Sequence, residues 1–166
     1  TRTAIRRGHG DMANKILTSF AMVLAITLVH ANEPPASTVP NERTDPVFTS
    51  RRQEMNIRRK AGKVDLLFLG DSITHAWEVE GEKSWQQHFA HLQVCNLGYA
   101  GDRTEHLLWR IQQGEIANLV VKTVVLLIGT NNAGHRLGSP QEIAAGVQVI
   151  LAELKQRLPH SKIVLM

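Results

Sequence analysis

Residues Leu66-Leu67-Phe68-Leu69-Gly70-Asp71-Ser72-Ile73-Thr74 decide the fold. An apolar strand stops there on a Gly-Asp-Ser turn. A serine hydroxyl is thereby set at the carboxyl end of a strand, where open α/β sheets carry out their chemistry. Working outward, strands are expected at 64–69, 92–97, 123–128 and 162–166. All four are near-continuous apolar runs, the pattern of parallel strands covered on both faces.

Helical patterns lie between the strands. Trp85, His88, Phe89 and Leu92 recur at i, i+3, i+4 and i+7. Asp102 and Glu105 have the spacing of a capping box opening a helix through Leu107, Leu108 and Ile111, which stops near Gly114. Ser139 is the expected cap of a third helix, with Pro140 at its first position and Glu142 closing the box. Ile143, Val147, Ile150, Leu151, Leu154 and Leu158 stripe one face of that helix, and Pro159 ends it. Strand–helix alternation of this kind predicts a doubly wound parallel α/β sheet. The last strand runs to the terminal Met166, so the fold reads as incomplete at its C-terminus.

The segment before the sheet divides in two. Residues 1–31 carry Lys15, an apolar run from Ile16 to Val29, and Val29-His30-Ala31. That is the order of a secretory signal with cleavage after Ala31. The run is shorter than the roughly 20 apolar residues of a bilayer span, which favours export over a membrane anchor. A secreted or periplasmic protein without stable membrane insertion is expected, and residues 1–11 precede the first methionine, Met12. Residues 32–49, with Pro34, Pro35, Pro40 and Pro46, read as a linker, which leaves 50–166 as the folded domain. Arg51, Arg52, Arg58, Arg59 and Lys60 read as the solvated face of a helix.

Charge and cysteine content exclude several classes. The formal net charge is +4, but Arg2, Arg6, Arg7 and Lys15 against Asp11 account for all except +1 of it. The folded part is therefore nearly neutral, and no nucleic acid partner is expected. Cys95 is the single cysteine, so no intrachain disulfide can form, and its strand context reads as core packing. No cluster of His, Cys or carboxylates has metal-ligand spacing, and neither a Gly-x-Gly-x-x-Gly nor a Walker loop is present. No cofactor is called for.

Ser72 alone reads as a helix cap as readily as a nucleophile. Two further strand ends change the weighting: Asn96-Leu97-Gly98 and Gly129-Thr130-Asn131-Asn132. Ester hydrolysis needs an oxygen nucleophile and donors aimed at the developing oxyanion. Ser72 as nucleophile, with the Gly98 amide and the Asn131 carboxamide as oxyanion donors, forms such a set. Trp77, Tyr99 and Trp109 read as core aromatics rather than pocket walls.

These three ordered blocks resemble the SGNH (GDSL-type) hydrolase superfamily. Gly101-Asp102-Arg103-Thr104 through Leu108-Trp109-Arg110 is similar to its platelet-activating-factor acetylhydrolase alpha-subunit branch. The resemblance implies a flavodoxin-like fold, a serine acyl-enzyme mechanism with Ser72 as nucleophile, and Gly98 and Asn131 in the oxyanion hole. It implies a small-molecule ester substrate, a short-acyl ester of a sugar or lipid, and a homodimer, since the related subunits dimerise. Asn132 stands where many superfamily members carry Asp. The family's Asp-x-x-His pair, with His as base, occurs nowhere in these 166 residues. His75, one turn beyond Ser72, points along its helix rather than back at the hydroxyl. The chain by itself is therefore expected to be inactive and poorly folded, and a non-catalytic carbohydrate- or lipid-binding module is the alternative reading.

Overall fold

The computed structural model describes residues 33–58 and 62–166. The expected signal at 1–31 lies outside these residues, as do Arg59 and Lys60 of the basic run. Four parallel strands form the sheet: β1 (Gly62–Gly70), β2 (Val94–Gly98), β3 (Leu119–Leu127) and β4 (Lys162–Leu165), in the order β2-β1-β3-β4. Their helices are α1 (Pro46–Arg58), α2 (Ser72–His75), α3 (Glu82–His88), α4 (Thr104–Gln112), α5 (Thr130–Gly134) and α6 (Pro140–Arg157). This is the doubly wound order, in which the chain leaves β1 to one side and then crosses it to reach β3.

Alternation along β1 serves both faces of the sheet. Leu67 and Leu69, both fully buried, join Leu107, Leu108 and Ile111 of α4 and Ile150 and Leu154 of α6 in one apolar cluster. Phe68, between them in sequence, instead meets Trp85 and Phe89, with ring centroids 5.4 and 5.5 Å away. Burying a large aliphatic side chain contributes about 1.5–3 kcal/mol, so this two-faced core is the main source of stability.

The cap of α6 forms as the sequence predicts. Ser139 Oγ accepts from Glu142 N at 3.3 Å, while Ser139 N donates to Glu142 Oε2 at 2.6 Å. Two expectations change. The helix over Trp85 ends at His88, so Leu92 falls beyond it. Arg103, not Asp102, caps α4, and its N–H donates to His106 Nδ1 at 3.1 Å. Asp102 is fully buried and serves as an ion-pair partner instead.

The described part of the 32–49 linker is integrated into the domain. A 3-10 turn at Ala36–Thr38 buries Ser37, whose Oγ donates to Glu142 O at 2.5 Å, and Asn41 N donates to Glu105 O at 3.1 Å. Residues Pro35–Met166 form one compact unit, and α1 begins at Pro46 inside the expected linker. Polar contacts across more than 60 positions of sequence hold this segment, and apolar periodicity cannot reveal such contacts. Among the described residues no helix is long and apolar enough to cross a membrane.

Candidate active site

The parallel register places three strand ends side by side. Gly70 pairs with Gly98 on one side and with Leu127 on the other. The loops carrying Ser72, residues 99–103 and Asn131 therefore leave from one edge of the sheet, at the point where the strand order reverses.

Ser72 is the first residue of α2, and its side chain is exposed. Asp71 caps this short helix, Oδ1 accepting from Ile73 N at 2.9 Å. The Asp71 side chain is fully buried. Burial pushes its carboxyl above the usual Asp value.

The structure corrects the oxyanion role expected of Gly98. Its N–H is committed to Asn96 Oδ1 at 2.9 Å, while Asn96 Nδ2 donates to Thr74 O at 2.9 Å. Gly98 is a glycine because α2 packs directly on it. A Cβ there would overlap the His75 backbone nitrogen and approach the Thr74 carbonyl carbon to 2.7 Å.

Gly101, three residues on, has an amide without an acceptor among the described residues. Asp102 N donates to Tyr99 O at 3.1 Å, closing a four-residue turn with Gly101 at its third position and φ +82°. A type II turn requires positive φ there, hence glycine. Gly101 is exposed, and its N–H donates to none of the described residues. The signal for this was in Tyr99-Ala100-Gly101-Asp102, a turn sequence with glycine at the position that demands it.

Asn131 meets this turn from β3. Its Nδ2 donates to Asp102 O at 2.7 Å, and the second amide proton has no acceptor among the described residues. Its neighbour Asn132 is buried, Oδ1 accepting from Thr104 N at 3.0 Å and Nδ2 donating to Glu105 Oε2 at 2.9 Å. Asn131 and Gly101 line one depression of about 480 Å³ together with Asn41, Arg43, His106 and His135. Ser72, on the adjoining strand end, is not among its lining residues.

Buried arginines fasten the 96–102 segment from behind. Arg51, expected on a solvated face, is buried; it donates to Gly98 O at 3.2 Å and Asn96 O at 3.3 Å and pairs with Glu78 at 2.7 Å. Arg110 donates to Asp102 Oδ2 at 2.8 Å, pairs with Glu115, and stacks 3.9 Å from the Tyr99 ring. Removing one partner from such a buried pair typically costs about 3–5 kcal/mol.

The histidines differ in state. His106 is buried, and its imidazole is pushed down to about 4 by burial and by the Arg103 guanidinium, so it is neutral at physiological pH. Its Nδ1 already accepts from Arg103 N. His75 is also lowered, chiefly by burial. Tyr99 is a core ring as expected, whereas Trp77 is 37% exposed and Cys95 half-buried. Among the described residues no group of three or more His, Cys, Asp or Glu could hold a metal.

Residues 68–166 match the model of the GDSL-like lipase/acylhydrolase family. The chain belongs to that family. It is 41% identical over 101 residues to the platelet-activating factor acetylhydrolase IB subunit beta homolog of Drosophila melanogaster, covering 61% of this chain and 43% of that protein. It is 31% identical over 122 residues to the human platelet-activating factor acetylhydrolase IB subunit alpha2, covering 74% and 51%. The chain thus spans about half the length of the curated relatives it matches. AlinE4, an SGNH-hydrolase family esterase of known structure, superimposes with a TM-score of 0.50 at 24% identity, covering 65% of this chain and 59% of AlinE4, a likeness of fold.

Proposed function

We propose that this protein is a serine ester hydrolase in which Ser72 attacks the acyl carbonyl. The observation that carries the reading is the joining of the Asn131 carboxamide to the turn that presents the Gly101 N–H, unpaired among the described residues, at the strand end beside Ser72. The Gly101 amide takes the oxyanion role that the sequence suggested for Gly98. Ser72 N–H, at the start of α2 and without a partner among the described residues, is the third donor. Each such donor acts only as charge develops on the oxygen, and losing one typically costs on the order of a hundred- to a thousandfold in turnover.

The acyl-enzyme forms when the Ser72 oxygen bonds to the carbonyl carbon and the alcohol leaves with a proton. Water then releases the acid and restores the hydroxyl. The base for both steps is the His of the Asp-x-x-His pair that family membership suggests, which these 166 residues do not contain. His106 does not fit that role, because its Nδ1 is spent on the α4 cap.

The substrate we infer is a small ester with a short acyl group on a sugar or lipid. The acetylhydrolase names of the relatives support this. Export through residues 1–31, and pairing of two copies as in multi-subunit relatives, belong to the same proposal. The test is turnover of p-nitrophenyl acetate and p-nitrophenyl octanoate by the full-length protein and its Ser72→Ala variant. Preference for acetate, abolished by the substitution, supports the reading; retention of both activities by Ser72→Ala overturns it. Ligand binding with no turnover at all points to a binding module instead.

A further inference from the structure

We propose that Arg43, a residue preceding the family-matched region, is a positioning residue that aims and polarises the Gly101 amide through the Ala100–Gly101 peptide. This rests on the reading of Gly101 N–H as an oxyanion donor.

Arg43 Nη1 donates to Ala100 O at 2.7 Å and to Asp102 Oδ1 at 2.9 Å. The rest of the guanidinium is fixed as well: Nε and Nη2 hold the two Asp45 oxygens at 2.8 and 3.0 Å, and the group lies 5.3 Å over the Phe48 ring. Asp102, in turn, is gripped on its other oxygen by Arg110. The cation therefore cannot swing away without breaking several charge-assisted bonds at once.

The Ala100 carbonyl and the Gly101 N–H belong to one planar unit, and no peptide bond among the described residues is cis. In a trans peptide the C=O and N–H point in opposite directions. Fixing the carbonyl on Arg43 therefore points the amide hydrogen away from Arg43. A cation hydrogen-bonded to the carbonyl also draws electron density from the amide, which strengthens the N–H as a donor in a cooperative chain. The guanidinium packs closely on the turn: a Cβ on Gly101 would stand 3.1 Å from Arg43 Nη2.

The segment that resembled a linker thus reaches the reaction centre. Gly101 is supplied by the family-matched region, while its orientation is set from outside that region.

The experiment compares Arg43→Ala and Arg43→Lys in the full-length protein, with Arg52→Ala as control. Arg52 lies nine residues on, in α1, where it stacks on Trp109 and pairs with Glu42; among the described residues no hydrogen bond or ion pair joins it to the 99–103 turn. The readouts are kcat and KM on p-nitrophenyl acetate, affinity for a phenylboronate that mimics the tetrahedral intermediate, and the Gly101 amide proton shift. Arg43→Ala is expected to lower kcat by about 10- to 100-fold with KM within about twofold, and to weaken the boronate by a similar factor. The Gly101 proton should move upfield, Arg43→Lys should recover part of kcat, and Arg52→Ala should change none of these. An unmoved Gly101 proton, or a kcat loss that lysine does not relieve and that tracks a fall in thermal midpoint, overturns the proposal. Turnover that survives Ser72→Ala defeats the hydrolase reading and this inference together. Turnover abolished by Ser72→Ala but left within about twofold by Arg43→Ala defeats this inference alone.

Discussion

Asn131 Nδ2 donates to the Asp102 carbonyl at 2.7 Å, and this one bond ties the loop after β3 to the turn after β2. Both loops leave strands that flank β1, so the bond spans the strand end where Ser72 begins its helix. A carboxamide suits the position because it carries two donor hydrogens, one for the tether and one for a developing oxyanion.

Asn131→Asp should therefore remove both donors while nearly preserving shape. Turnover of a short-acyl ester is expected to fall about 100- to 1,000-fold. KM should change far less, because the interaction is made with the oxyanion rather than the ground-state carbonyl. Steady-state kinetics on p-nitrophenyl acetate decides; a loss confined to KM would show that Asn131 only binds substrate.

Gly98→Ala should act on stability. The added methyl would overlap the His75 backbone nitrogen and crowd the Thr74 carbonyl carbon, neither of which can rotate aside. Overpacking of this kind costs about 1–3 kcal/mol. Urea denaturation should show that loss, with residual activity proportional to the folded fraction. A fully stable Gly98→Ala would show that α2 does not pack on Gly98 in solution.

Gly146→Ala sets two effects against each other. Alanine in a helix interior gains about 1 kcal/mol over glycine. At this position on α6, however, the new Cβ would stand 2.5 Å from Ser37 O and 2.8 Å from Thr104 Oγ1. Crowding of that kind costs about 1–3 kcal/mol and outweighs the helix gain, so the substitution should lower the thermal midpoint. A raised midpoint would mean that the Ala36–Thr38 turn does not pack on α6 in solution.

His106 predicts a pH dependence. Its folded imidazole titrates at about 4, below the ordinary value near 6.5. Between those values the unfolded chain binds the proton and the folded one does not. The stabilisation is thus complete above about 6.5 and is lost as pH falls through about 4, amounting to roughly 1–3 kcal/mol. His106→Asn keeps an acceptor for Arg103 N–H and cannot titrate. Urea midpoints at pH 7 and pH 4.5 should fall more steeply on acidification for the parent than for this variant.

The sheet and its two covered faces were legible because Leu66, Leu67, Phe68 and Leu69 form an unbroken apolar run, and the Ser139 cap because its partner Glu142 is three residues away. Ser72 and Asn131 could be nominated because each follows an apolar run on a recognisable turn. Arg51 was misread, since a guanidinium in a charge run reads as solvated until its carbonyl partners 45 and 47 residues on are known. Arg43 was invisible for the same reason: it sits in a proline-rich stretch with no apolar period, and its partners lie 57 and 59 positions away. The turn at Gly101 was readable in Tyr99-Ala100-Gly101-Asp102, but which of Gly98 and Gly101 has its amide hydrogen committed was not. That is a property of the folded turn, and composition does not carry it.

The most direct test is covalent labelling of the full-length protein with a fluorophosphonate, read by peptide mass spectrometry. A single phosphonyl adduct on Ser72, absent from Ser72→Ala and slowed about 100-fold or more by Asn131→Ala, is the expected result. An adduct on another serine, or labelling that proceeds unchanged in Ser72→Ala, would contradict the account.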